Sequence, residues 1–228
     1  MSQIAALYRQ ARTRVVALTA DLSVEQQAQM VPATPLWNVR EVVAHVAGVC
    51  ADILNGRLDG RGTEPWTQRQ VEERADMAMA QLHAEWATSG QGLEQVFDKV
   101  GDERVNPRVL ADVWCHEQDL RSVLQVPGGW DDGSAAYFVT RQREHYDELF
   151  IQHGVRIDVS HVGRLGTADG EPTLQIGASE FLRGVLGRRS KHQLLQWPWR
   201  GLADPWPLIE ELLIFGIAED DIIDAPHE

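Results

Sequence analysis

Cysteine is scarce in this 228-residue chain, which carries only Cys50 and Cys115. Two thiols cannot make a disulfide framework, so the fold must rest on a packed core, and the pair is expected to stay reduced. Lysine is equally scarce: Lys99 and Lys191 stand beside nineteen arginines, a bias that points to a GC-rich bacterial genome. Positive charge as a whole is short, with 21 basic against 34 acidic residues and a net charge of −13. A phosphate backbone is bound by a basic surface, so nucleic acid is not an expected partner. No apolar run reaches the roughly 20 residues a membrane span requires, so no membrane partner is expected either. The opening stretch, MSQIAALYRQARTRVVALTA, is amphipathic and charged throughout. It reads as neither signal peptide nor anchor, and a cytoplasmic location is expected.

The first two thirds of the chain carry helical patterning. Ile4, Leu7, Ala11, Val15 and Leu18 repeat at helical spacing over residues 3–20. After the proline-broken VPATPLW, Asn38 is placed to cap a second helix, with Glu41 at the third helical position as in a capping box. That helix is expected to run to about Gly56. Residues 67–99 form a third helical region, expected to break at Ser89–Gly92. Pro107 opens another helix, closed by VPGGWDDG, and a last long one is expected from Ser134 to about His153, with Gly154 as its C-cap. The texture then changes. VRIDVS and PTLQIGAS alternate like strands, the ADGE between them holds an Asp-Gly turn signal, and EFLRGVLG and PLIEELLIFG read as short helices. The expected organisation is mainly α: a helical bundle over 1–154 and a small α+β unit over 155–228.

Polar residues interrupt two apolar helix faces. In LADVWCHEQDLR, Val109, Val113, Leu120 and Val123 make one stripe, with His116 at its centre and Asp112 on its flank. In VREVVAHVAGVC, Val42, Val46 and Val49 make another, with His45 among them. Asp112 and His116 are four apart and share a face. Bundles build metal sites in this way, from carboxylates and imidazoles on facing helices, and two imidazoles with a carboxylate suit a divalent transition metal. A hydrogen-bonded core histidine, or an Asp112–His116 or Asp112–arginine ion pair, accounts for the same pattern, and spacing alone leaves these readings open. Asp119, three residues after His116, is placed to orient its imidazole, whereas Glu117 points outward on the wheel and is expected to be solvated or to cap a neighbouring loop. Trp114, Cys115 and Cys50 are expected in the core, and the remaining histidines at the surface or behind the ligands.

WNVREVVAHVAG (Trp37–Gly48) followed by DVWCHEQDLR (Asp112–Arg121) resembles the mycothiol-dependent maleylpyruvate isomerase family. ASEFLRGVLGRRS (Ala178–Ser190) extends the likeness to nearly the whole chain. The resemblance implies a DinB-like four-helix bundle followed by a small, sterol-carrier-like α+β domain. It implies zinc on His45, Asp112 and His116, mycothiol or a similar thiol as cosubstrate, and Arg183 near the active site. One position departs: the isomerase pattern has Glu where this chain has Asp112. Aspartate is one methylene shorter, so a metal must sit closer to the helix or be held through water.

The function so implied is thiol-dependent cis–trans isomerisation or S-transfer on a small electrophilic, carboxylated substrate, in a monomer or homodimer. Arg183 would hold the carboxylate, with Arg188 and Arg189 in the same cluster. Against this stands a non-catalytic module of the same fold that binds a metal or an apolar ligand.

Overall fold

The computed structural model describes residues 1–166 and 169–226. Its helical part is built on four long helices, α1 (Gln3–Thr19), α3 (Val39–Leu54), α5 (Met79–Val100) and α6 (Arg108–Leu124). Two short helices intervene, α2 (Val24–Gln27) and α4 (Glu64–Glu72). Helix α1 packs on α5 and α6, and α3 packs on the same two, which closes a four-helix bundle with α4 laid against α3. The core is the apolar face of each helix: Ile4, Ala11 and Val15 from α1, Val42 and Val46 from α3, Leu82, Trp86 and Leu93 from α5, Leu110 and Trp114 from α6.

The capping box on α3 is present: Asn38 Oδ1 accepts from the Glu41 N–H at 2.9 Å and Glu41 Oε2 from the Asn38 N–H at 2.8 Å. The expected break at Ser89–Gly92 is absent, for α5 runs unbroken through it. Its glycines serve close approach instead. A Cβ on Gly90 would lie 2.5 Å from Arg12 Nε, and one on Gly92 would lie 3.1 Å from the Leu54 side chain. Arg12 is buried across Gly90 because its guanidinium meets the buried carboxylate of Glu94, Nη2 to Oε1 at 2.8 Å, while Arg9 Nε takes the other oxygen at 2.6 Å.

Helix α6 differs from the one-sided helix read from its sequence. From Leu110 through Ser122 every residue except Asp112 is buried. A helix buried all round is a central helix. Glu117 is accordingly not solvated but fully buried, held by Arg14 through two bonds of 2.7 Å and by Arg121 Nε at 2.9 Å.

Packing divides the chain into Met1–Gly129 with the tail from Asp224, and Trp130–Ile223. This grouping places α7 (Ser134–Arg141) and α8 (Arg143–Gln152) with the strands rather than with the preceding helices, because α7 packs on α9 (Ala178–Val185) and α8 on the sheet. The single helix expected over Ser134–His153 is two, parted at Gln142 (φ −104°, ψ 11°). The sheet has three strands among the described residues, in the order β2-β1-β3: β1 (Arg156–Val159), β2 (Gly163–Gly166) and β3 (Leu174–Ile176). Strand β1 pairs antiparallel with β2, Ile157 opposite Leu165, and parallel with β3, Ile157 opposite Leu174. The two segments read as strands are thus parallel neighbours. The antiparallel partner is GRLG, whose glycines and arginine hide it from an alternation test. Of the Asp-Gly turn expected in ADGE, Ala168 lies outside the described residues, and Asp169 and Gly170 form a bend. Helices α10 (Lys191–Leu195) and α11 (Trp206–Leu212) complete the unit.

Gly90 gives a test of the bundle. Alanine in a helix interior is favoured over glycine by about 1 kcal/mol, but overpacking a closed interface costs about 1–3 kcal/mol, and disturbing one partner of a buried ion pair adds to that. Gly90→Ala is expected to lower stability by about 1–3 kcal/mol net, read by urea denaturation of the full chain; a stabilised variant would show that Arg12 moves aside at no cost.

Candidate metal centre

Helices α3 and α6 are neighbours in the bundle, and their contact carries the interrupted apolar faces into one place. His45, two turns into α3, is 2% exposed, and His116 on α6 is 5% exposed. Their rings stand edge to face with centroids 5.0 Å apart. Asp112 Oδ1 lies 3.7 Å from His45 Nε2 and 3.6 Å from His116 Nε2. One ligand atom from each of the three residues falls within 4.8 Å of the others, so the group could hold a metal ion. Asp112, with its side chain 33% exposed, is the solvent-facing member. The group is therefore closed by its histidines and open at its carboxylate. Three protein ligands leave a tetrahedral ion one position for water or substrate, which catalytic sites keep and structural ones do not.

Both imidazoles turn their Nδ1 atoms away from the group. His45 Nδ1 meets Gln70 Oε1 at 2.8 Å, and Asp119 Oδ2 lies 3.1 Å from His116 Nδ1. An outer acceptor on Nδ1–H leaves the Nε2 lone pair for a metal and aims the ring, the usual arrangement behind a liganding histidine. The donor set, two neutral nitrogens and one carboxylate oxygen, fits a divalent transition metal such as zinc.

Trp37 explains why a tryptophan leads the α3 motif. Its ring packs 4.8 Å from that of His45 and 6.4 Å from that of His116, and its Nε1–H donates to Gln68 Oε1 at 3.2 Å. Behind His45 lies a polar layer that sequence spacing did not reveal. Gln70 Nε2 donates to Asp52 Oδ2 at 2.9 Å, and Asp52, fully buried, pairs with Arg57 at 2.6 Å and Arg69 at 3.0 Å. Gly48 makes room for it, since a Cβ there would lie 2.6 Å from Gln70 Cβ and 2.9 Å from Arg74 Nη1. Arg74 holds the end of α4 by donating to Gln70 O at 3.0 Å and gripping Glu85 with bonds of 2.8 and 2.7 Å. The one sign of this layer in the sequence is Gly48 itself, three residues after His45; Gln70 sits in a polar stretch with nothing to distinguish it.

Arg183 is fully buried on α9, in the unit Trp130–Ile223. Arg189 is buried too, its guanidinium meeting the half-buried Glu180 carboxylate at 2.8 and 2.5 Å. Among the described residues no further histidine joins the group. His83 faces Thr19 Oγ1 at 2.8 Å with its pKa lowered by burial, and His153 and His192 pair with Glu211 and Asp221. Cys50 and Cys115 are buried as expected and are not joined in a disulfide, and burial pushes the Cys50 thiol up, away from thiolate.

A helical bundle with histidines and a carboxylate converging from two neighbouring helices defines the class, and comparison with known families agrees. The DinB superfamily matches residues 7–126, more than half of the chain, and the protein belongs to that superfamily. No curated protein and no solved structure matches the chain.

Residue 112 tests the donor set without disturbing the core, because it is the exposed member. Asp112→Asn, which loses the charge, is expected to weaken zinc binding at least tenfold, while Asp112→Glu keeps it. Competition titration against a chromophoric chelator reads both, and equal affinity in all three forms would remove residue 112 from the group.

Proposed function

We propose that the protein is a metal-dependent enzyme that uses a low-molecular-weight thiol, mycothiol or a close analogue, on a small electrophilic substrate. The observation that carries the reading is the arrangement of His45, Asp112 and His116: convergent ligand atoms, outward Nδ1 atoms and an opening on the carboxylate side. A bound divalent metal supplies stabilisation of thiolate over thiol, which neither buried cysteine of the chain is placed to replace. The residues do the rest. His45 and His116 hold fixed directions, Trp37 shields one side of the imidazoles, and Asp112 faces the solvent from which thiol and substrate arrive.

Addition of a thiolate to an activated double bond, rotation about the new single bond and expulsion of the same thiolate amount to cis–trans isomerisation. A substrate with a leaving group ends instead as a thioether, which is S-transfer. The likeness to maleylpyruvate isomerases in Trp37–Gly48 and Asp112–Arg121 supports the first reaction, and the aspartate at 112 is a departure from that pattern. Purified protein is expected to carry zinc or bind it in near-equal stoichiometry, and His116→Ala to lose it. Identical metal content in the two proteins would overturn the centre.

Arg183 decides between catalysis and a passive module. As a carboxylate anchor its planar fork suits two hydrogen bonds, but full burial requires that the guanidinium be uncovered when substrate binds. That burial favours the second reading, a metal-binding module in which Arg183 is an interior structural charge. Removing a fully buried guanidinium lowers stability under either reading; Arg183→Ala is expected in addition to abolish thiol-dependent turnover at a temperature where the variant stays folded and keeps its metal. A loss of melting temperature with turnover retained would assign the residue to the structural role.

A further inference from the structure

The layer behind His45 contains a chain of hydrogen bonds whose direction can be read from its chemistry. Asp52 is fully buried and paired with two guanidinium groups, Arg57 and Arg69. A carboxylate so held only accepts. The Gln70 atom 2.9 Å from Asp52 Oδ2 must therefore be the amide nitrogen, which donates. The other end of the same amide is then the carbonyl oxygen, and it too can only accept. It lies 2.8 Å from His45 Nδ1, so the hydrogen of that bond belongs to the imidazole. In neutral His45 the remaining nitrogen, Nε2, carries a lone pair and no hydrogen. That nitrogen is the one 3.7 Å from Asp112 Oδ1. Without the Asp52 anchor the amide could turn over, present its NH2 to His45, and reverse the tautomer.

The structure assigns to Gln70 the role of positioning residue for the candidate metal centre: anchored by Asp52, it holds His45 as the Nδ1–H tautomer with Nε2 open toward Asp112 and His116. This inference rests on the metal-centre reading and extends it to a residue of α4 that carries no ligand atom. Three further features serve the same end. Gln70 has no solvent exposure, so water does not compete for its amide. The absent side chain of Gly48 admits the Gln70 stem, whose Cβ would otherwise meet a Cβ at 2.6 Å. Arg74, fastened to Glu85, fixes the Gln70 backbone by donating to its carbonyl. The two imidazoles thus have unlike supports, an anchored amide behind His45 and the Asp119 carboxylate beside His116. A carboxylate behind an imidazole makes it a more basic ligand than an amide does.

Two measurements on the 15N-labelled full chain test this: long-range 1H–15N spectra of the metal-free protein, which report the tautomer of His45, and zinc affinity by chelator competition. The variant is Gln70→Met, similar in size without the acceptor. Wild-type His45 is expected as Nδ1–H alone. Gln70→Met is expected to show mixed tautomers and zinc binding weakened about ten- to a hundredfold. His45 found as Nε2–H in the wild type overturns the proposal, as does Gln70→Met with tautomer and affinity unchanged. Should Gln70→Met fail to fold, the wild-type spectrum still decides, because the anchored amide allows only Nδ1–H. A wild-type protein that binds no zinc but shows His45 as Nδ1–H overturns the metal centre and leaves Gln70's hold on the imidazole standing.

Discussion

Two imidazoles packed edge to face in the seam between α3 and α6 are the constraint around which the bundle is arranged. Each carries a donor or acceptor at both nitrogens, and burying such groups without partners costs about 1–3 kcal/mol apiece. The apolar side chains of the seam cannot supply those partners, so polar side chains around it must. Helix α4 is folded back onto α3 to bring Gln70 to His45, Asp119 is placed one turn beyond His116 on its own helix, and Trp37 is set at the entry of α3 to cover the rings. The same need explains why α4, short and polar, has a defined seat: it meets α3 through Gly48, where no side chain stands in the way.

The arginine bias takes on a structural sense once the pairs are seen. Arg12 with Glu94, Arg14 and Arg121 with Glu117, Arg74 with Glu85, and Arg189 with Glu180 each join a guanidinium to a carboxylate with at least one partner in the interior. Several of these contacts use two nitrogens or two oxygens at once, which a planar fork allows and an ammonium does not. Interior pairs of this kind add little net stability over apolar packing, yet an unpaired member is strongly destabilising. They act as register marks. Glu117 can be buried only where Arg14 of α1 and Arg121 of α6 both reach it, so it ties the position of α1 along α6 to a single setting.

Membership of the DinB superfamily covers the bundle and stops short of residues 127–226. The second unit is held by its own contacts. Glu180 receives Arg189 and the Trp197 indole N–H at 3.0 Å, and the Trp197 ring lies where a side chain on Gly184 would stand. Ser179 Oγ donates to Trp130 O at 2.5 Å, which pins the start of α9 to the first residue of the unit. Arg183 sits among these residues on the same helix, which is why its burial bears on what it can do.

Local chemistry determined what could be read in advance. The capping box at Asn38 and Glu41, the proline before α6 and the helical repeat in α1 are decided within a few residues of chain, and each stands where its residues place it. The polar breaks in two apolar faces likewise singled out His45, Asp112 and His116, because a side chain's direction on a helix follows from its number alone. Tertiary structure decided whatever depended on a second element. The glycines of Ser89–Gly92 do not end α5, since what they admit is Arg12 and Leu54 from other helices. Glu117 is interior because α6 is surrounded, which a single wheel cannot show. Strand β2 exists because β1 and α8 pack against it, not through any alternation of its own. Gln70 meets His45, and joins it to Asp52, only through the fold-back of α4, and no spacing within one helix encodes a bond between side chains 25 residues apart.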